Sequence, residues 1–333
     1  MVTLKDVANY ANVSTTTVSR ILKNDSTLSV SPETRKKVLA AAKELQYVRK
    51  SKKIFSQNET ITLAIIQWYS FEREMQDTYY LSLMQGVEDF LQESDIGMIR
   101  IREGDIHFWE LLQEVQGVIC IGKIPLHIVQ KITGYSENII LLDMDMSPIT
   151  HCCVTLDFDN AMYQVAHYFH ELGHKHVGFL GRKEYSELDE HIPTRKSSFI
   201  RYCQHFGLKY SEFSLNKELT SETGYNLIYE VAKKEKLPTA IFAVNDPIAL
   251  GAMRALHDSG IQVPNDVSII GFNNIDAGSF TTPPLTTIYA PAKEMGEVGA
   301  RLLCESLINN KKLVPMRIQL PCNLLIRNSC KEI

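Results

Sequence analysis

The residues from Leu4 to Leu22 constrain this chain more than any other stretch. Leu4, Val7, Ala8 and Ala11 recur at helical spacing, which gives a short helix one apolar face. Asn12 and Val13 then make a tight turn, and Ser14 stands where a side-chain oxygen caps a second helix. That second helix turns Val18, Ile21 and Leu22 inward and shows Thr15, Thr16, Ser19 and Arg20 to solvent. Two short helices joined in this way predict a helix-turn-helix, whose second helix enters the DNA major groove. Small hydroxyl side chains at Ser14, Thr15, Thr16 and Thr17 let the helix N-terminus approach phosphates and base edges, and Arg20 can reach a guanine. On spacing alone an ordinary helical hairpin fits equally well.

Charge is distributed in the same sense. The chain has 333 residues and a net charge of −4, yet residues 1–53 carry eleven Lys/Arg against four Asp/Glu. The balance there is +7, so the remainder stands at −11. A basic end on an acidic body suits a DNA-binding module attached to a part that stays off the phosphates. Ser31 caps a third helix with Pro32 at its first position, and Val38, Leu39, Ala42 and Leu45 are expected to close a three-helix core. Arg35, Lys36 and Lys37 remain outside it, near the DNA backbone.

The wording of this segment, LKDVANYANVSTTTVSRIL, resembles the N-terminal headpiece of the LacI/GalR family of bacterial repressors. The match continues through Ser31-Pro32-Glu33-Thr34-Arg35 and Lys43-Glu44-Leu45-Gln46-Tyr47, and later motifs extend it over nearly the whole chain. The resemblance implies a homodimer bound to double-stranded operator DNA, with residues 1–47 as headpiece and Asn24 in the following loop among its contacts. Residues 48–59 form the hinge or linker. In the family this segment becomes a short helix that pushes an aliphatic wedge into the minor groove. The usual Ala-Arg-x-Leu is absent, leaving Ile54 or Phe55 as the only wedge, and a flexible basic tether accounts for the same residues.

From Thr60 the pattern becomes α/β: short apolar runs such as Ile61–Ile66, Val118–Ile121 and Ala240–Val244 alternate with amphipathic helical stretches. About ten such strands imply parallel sheets in βαβ units and exceed one comfortable sheet, so two subdomains are expected. The segment Thr286–Tyr289, helix, Met316–Leu320 would return to the first sheet, the crossover of periplasmic-sugar-binding-type bodies. That divides the body at 60–333 into about 60–156 plus 288–319 and about 157–287 plus 320–333.

Ligands of open parallel sheets bind beyond the carboxyl ends of the strands. Those ends carry Gln67-Trp68-Tyr69, Gly122-Lys123, Asp143-Met144-Asp145, Gly181-Arg182, Asn245-Asp246 and Asn273-Asn274. Carboxylates, amides and an arginine beside aromatics suit a polyhydroxylated ligand. The resemblance supports Asp143, Arg195, Asn245 and Asn273 as effector contacts, with Tyr79 and Tyr80 at the position of stacking aromatics, where a core or dimer-interface role also fits, and Asp246 as cap of the next helix. Asn273 stands where relatives carry Asp. Asp143 and Asp145, two apart on an extended stretch, would point to opposite faces and so make no acid/base pair.

Further wording is shared with the Ebg-type galactoside repressors and the galactose repressors of Gram-positive bacteria. It includes Asp77-Thr78-Tyr79-Tyr80-Leu81 and Val118-Ile119-Cys120-Ile121-Gly122-Lys123. That similarity implies a galactose-type effector controlling a sugar-utilisation operon.

His167, His170, His174 and His176 crowd ten residues, but a metal site would want a further carboxylate or cysteine in place, and neither metal nor cofactor is expected. Seven cysteines without a C-x-x-C pair read as reduced thiols, no apolar run approaches a membrane span, and the chain enters the headpiece directly. A cytoplasmic location follows. A sugar-processing enzyme with an accessory DNA-binding head would need a catalytic pair that is not found. A transport-type sugar receptor is opposed by the basic headpiece.

Overall fold

A computed structural model of the protein describes residues 4–22, 30–45, 61–69, 78–182, 193–215, 218–234 and 236–333. The chain falls into two compact units, residues 1–56 and 57–333.

Among its described residues the first unit holds three helices, Leu4–Ala11, Thr15–Leu22 and Pro32–Glu44. Asn12 ends the first in the left-handed region at φ 54°, where an amide side chain costs little, and the Val13 amide closes onto the Ala8 carbonyl at 3.0 Å. Val7, Ala8, Val18, Ile21, Val38 and Ala41 are buried together as its core. The expected third-helix face is corrected at one position. Leu39 is 49% exposed and Ala41 is buried, because Val38, Ala41, Ala42 and Leu45 keep one helical phase that Leu39 leaves.

Among its described residues the second unit contains two six-stranded sheets. In the first the order is β11-β5-β4-β3-β1-β2, from β1 (Thr62–Gln67), β2 (Gly97–Arg102), β3 (Gly117–Ile121), β4 (Ile139–Leu142), β5 (Cys152–Leu156) and β11 (Arg317–Leu320), all parallel. In the second it is β12-β10-β9-β8-β6-β7, from β6 (His176–Arg182), β7 (Lys209–Leu215), β8 (Ala240–Ala243), β9 (Ser268–Asn273), β10 (Thr286–Tyr289) and β12 (Asn323–Leu325). Only β12 runs antiparallel there. The central strands are buried along their length, as strands covered by helices on both faces must be.

The chain crosses between the sheets three times: after β5, after β10 and after β11. The first and third crossings run side by side, with the Asp157 amide donating to the Leu320 carbonyl at 2.9 Å. Helix 292–308 packs back on helix 78–94 through Gly86 and Gly296, where each backbone lies within van der Waals reach of the other.

One strand assignment is corrected. Thr286–Tyr289 does not return to the first sheet; it pairs in parallel with β9, Thr287 opposite Gly271, so the crossover falls after Tyr289. Both threonines are fully buried, and their hydroxyls find partners on that side: Thr286 accepts from the Arg327 amide and Thr287 donates to Asp246. Two further strands escape the sequence pattern. β7 is an edge strand mixing Lys209, Glu212 and Ser214 with Phe213, and β12 spans three residues.

Candidate functional site

In the first unit, the Ser14 hydroxyl accepts from the Thr17 amide at 3.0 Å and so caps the second helix. Ser14 Oγ also pairs with Thr17 Oγ1 at 2.8 Å, turning Thr17 toward the cap. Thr15 and Thr16 are exposed on the first turn, and Arg20 is half-buried one turn later. Ser31 repeats the device for the third helix, accepting from the Thr34 amide at 3.1 Å. Lys36 is exposed and Arg35 half-buried. Asn24, Ile54, Phe55 and the whole 48–59 linker lie outside the described residues.

In the second unit, the strand ends converge on a cavity of about 570 Å³, part of it open to solvent. Tyr79, Tyr80, Asp143, Arg195, Asn245 and Asn273 all line it, so the structure brings together the six residues singled out above. It adds Leu156, Phe158, Glu218, Leu219 and Thr220. Phe158 carries a faint sequence signal, as the first helical residue after the Asp157 cap. Glu218, Leu219 and Thr220 come from a loop without one.

Asp143, Arg195 and Asn245 are each held by identifiable contacts. Asp143 directly follows β4 in the left-handed region, at φ 57°. Its carboxylate accepts from Tyr80 Oη at 2.9 Å and from Tyr79 Oη at 3.2 Å. Burial, then the Asp143 charge, pushes the Tyr79 phenol well above its ordinary range, so it remains a donor. Tyr80 stacks on Tyr69 at 4.4 Å between ring centres, and Tyr69 accepts from Gln67 Nε2 at 2.9 Å. Gln67 and Tyr69 thus back the site without lining it.

Asp145 diverges from Asp143 and pairs with Arg317 at 2.8 Å. The divergence is as expected, but the left-handed turn at Asp143 produces it, not strand alternation. Asn274 also turns away and accepts from Arg327 Nη2 at 2.6 Å.

Arg195 opens helix 195–205, capped by Thr194. A cation there opposes the helix dipole. It is held by a 2.6 Å bond to the Val244 carbonyl and by the faces of Phe158 and Phe272, 5.3 and 5.1 Å from its guanidinium carbon.

The expected cap of helix 246–258 is corrected. Asn245, not Asp246, accepts from the Ile248 amide at 3.1 Å, because its extended backbone swings its side chain over the first turn. Asn245 Nδ2 also donates to the Leu219 carbonyl at 3.1 Å.

The four crowded histidines divide into different surroundings. His167 and His170 both pack on Phe206, His167 also stacking on Tyr163, while His174 pairs with Thr239 and His176 with Ser211. Among the described residues no group of three or more His, Cys, Asp and Glu could hold a metal ion, and no helix is long and apolar enough to cross a membrane.

The sequence matches two family descriptions: bacterial regulatory proteins of the lacI family over residues 3–50, and a periplasmic binding protein-like domain over residues 166–330. It is 35% identical to the HTH-type transcriptional regulator GalR of Streptococcus thermophilus, with 99% of this chain and 100% of that protein covered. The chain belongs to the LacI family. This LacI-family chain is a transcriptional repressor of the LacI/GalR type and not an enzyme, which sets aside the sugar-processing reading. It is also 31% identical to the HTH-type transcriptional repressor PurR of Pasteurella multocida, over 100% of this chain and 99% of that one. Its fold is like that of the Lac repressor dimer bound to operator and the anti-inducer ONPF, at a TM-score of 0.68 and 23% identity over 99% of each chain.

Proposed function

We propose that the protein is a cytoplasmic, homodimeric repressor of a sugar-utilisation operon whose operator affinity is set by a galactose-type sugar in this cavity. Relatives named GalR and PurR stand at similar identity, so family membership does not select the effector, and the reading is supported by the cavity lining instead. The observation that carries the reading is the lining itself. Asp143 with its two tyrosine hydroxyls comes from one subdomain, and Arg195, Asn245 and Asn273 come from the other, beside the apolar faces of Phe158 and Leu156. Carboxylate, amides and guanidinium bridge vicinal hydroxyls, while an aromatic face takes the C–H surface of a pyranose. A ligand touching both halves favours one arrangement of them, and linkage passes that preference to DNA. Coupling of about 1–3 kcal/mol changes operator affinity roughly 5–150-fold, enough for a switch.

Calorimetry and thermal unfolding with D-galactose, methyl β-D-galactoside, D-glucose and D-ribose test this. A galactose-type ligand at a hundred times its Kd should add about 2.7 kcal/mol of stability. Asp143→Ala and Arg195→Ala should each abolish that gain, because polar groups built for hydroxyls discriminate strongly once a partner is missing. Unchanged affinity in both variants would show that the cavity is not the effector site. No response to any galactose-type sugar would remove the effector assignment.

A further inference from the structure

We infer that Asp246, which does not line the cavity, is the positioning residue that holds its two asparagines in register; this rests on the reading of the cavity as an effector site. Asp246 is fully buried at the first position of helix 246–258, directly after the cavity residue Asn245. One carboxylate oxygen, Oδ1, accepts from the Thr287 hydroxyl at 2.6 Å. The other, Oδ2, accepts from the Ile275 amide at 2.8 Å. Ile275 follows Asn273 and Asn274, two consecutive residues at positive φ, 109° and 58°. Such a turn is costly for side chains with a Cβ and persists only where its surroundings fix it.

The carboxylate therefore ties three pieces together: the helix start bearing Asn245, the strained turn bearing Asn273, and β10. Gly271 completes the arrangement. It pairs with Thr287 across β9 and β10, and a Cβ on it would lie 2.1 Å from Asp246 Oδ1. The strand thus gives up a side chain where the carboxylate must sit. Both asparagines are cavity-lining, so their separation, and hence the hydroxyl spacing they accept, is set by this buried group.

The chemistry separates two substitutions at one position. Asp246→Asn keeps an oxygen for the Ile275 amide and presents an N–H₂ to Thr287, whose hydroxyl can accept as well as donate. Asp246→Ala loses both bonds, and Thr287→Val loses one. Asp246→Ala and Thr287→Val should weaken D-galactose binding by about tenfold or more, the usual effect of removing a group that orients a binding residue, while Asp246→Asn stays near the wild-type Kd.

Calorimetry of the full-length protein, run well below each variant's thermal midpoint, reads this. An unchanged Kd in folded Thr287→Val and Asp246→Ala, with only a lowered midpoint, would overturn the inference. Hydrogen exchange at the Ile275 amide needs no ligand. It should accelerate by about tenfold or more in Asp246→Ala and stay slow in Asp246→Asn. If wild-type protein gives no heat with D-galactose, the sugar reading fails while the exchange data still decide for or against Asp246: unaltered exchange in Asp246→Ala overturns it.

Discussion

Lowering the pH should destabilise the second unit through one buried imidazole, His174. It is fully buried after helix 158–171, and Nδ1 lies 2.9 Å from Thr239 Oγ1. The Thr239 hydroxyl donates to the His176 carbonyl at 3.3 Å, so its oxygen is the acceptor toward His174, and the hydrogen-bond network assigns the proton to Nδ1. Nε2 is buried without a hydrogen-bond partner among the described residues. Protonating it would bury a cationic N–H with nothing to accept it, and burial accordingly lowers the His174 pKa from 6.5 to about 4. Above pH 6.5 neither folded nor unfolded chain binds this proton, and stability does not depend on it. Between pH 6.5 and 4 the unfolded chain binds it and the folded chain does not, so stability falls with pH. Working the two pKa values through to pH 5 gives a loss of about 2 kcal/mol relative to pH 7.5. Urea unfolding at pH 7.5, 6.5, 5.5 and 5.0 measures it, with His174→Leu as the comparison, since Thr239 keeps the His176 carbonyl in that variant. The variant should lose most of the slope, keeping a residue from His151 and His176, whose pKa values burial also lowers. Equal slopes in the two proteins would refute the assignment.

Two further outcomes are expected. Arg20→Ala should cost about 1–3 kcal/mol on specific DNA and relax preference at one operator position, whereas Lys36→Ala should weaken all sequences alike and reduce the salt slope by about one; titrations against operator and random duplex at several salt concentrations distinguish them, and equal losses on both for Arg20→Ala would contradict base readout. Gly296→Ala gains about 1 kcal/mol of helix propensity but sets a Cβ 2.1 Å from the Leu83 carbonyl oxygen, an overpacking cost of about 1–3 kcal/mol or more, so thermal unfolding should show net destabilisation.

Periodicity reveals buried surfaces well and irregular backbone poorly. The headpiece helices and the crossing helices each have one dominant period and the central strands are apolar throughout, and apart from Leu39 their described residues reach the core that this pattern implies. Other failures occur at a sheet edge, or where a residue follows a polar partner. β7 alternates too weakly to announce a strand because its far edge faces solvent. Thr286 and Thr287 looked like the start of a return crossing, yet buried hydroxyls must follow their hydrogen bonds, to Arg327 and Asp246.

The cavity divides on the same line. A strand end is a place that topology supplies, so Asp143, Asn245 and Asn273 could be named from position. Which way a strand-end side chain then turns is decided by one or two backbone angles. Asp143 and Asp145 are chemically alike and two residues apart, yet the left-handed turn at Asp143 keeps its carboxylate on the tyrosines and sends the next toward Arg317. Asn273 and Asn274 divide likewise, between the cavity and Arg327. Such angles are stable only because distant groups hold them, as the Asp246 carboxylate holds the turn after β9 from 29 residues away. A local window cannot contain that cause, so Asp246 looked like a cap.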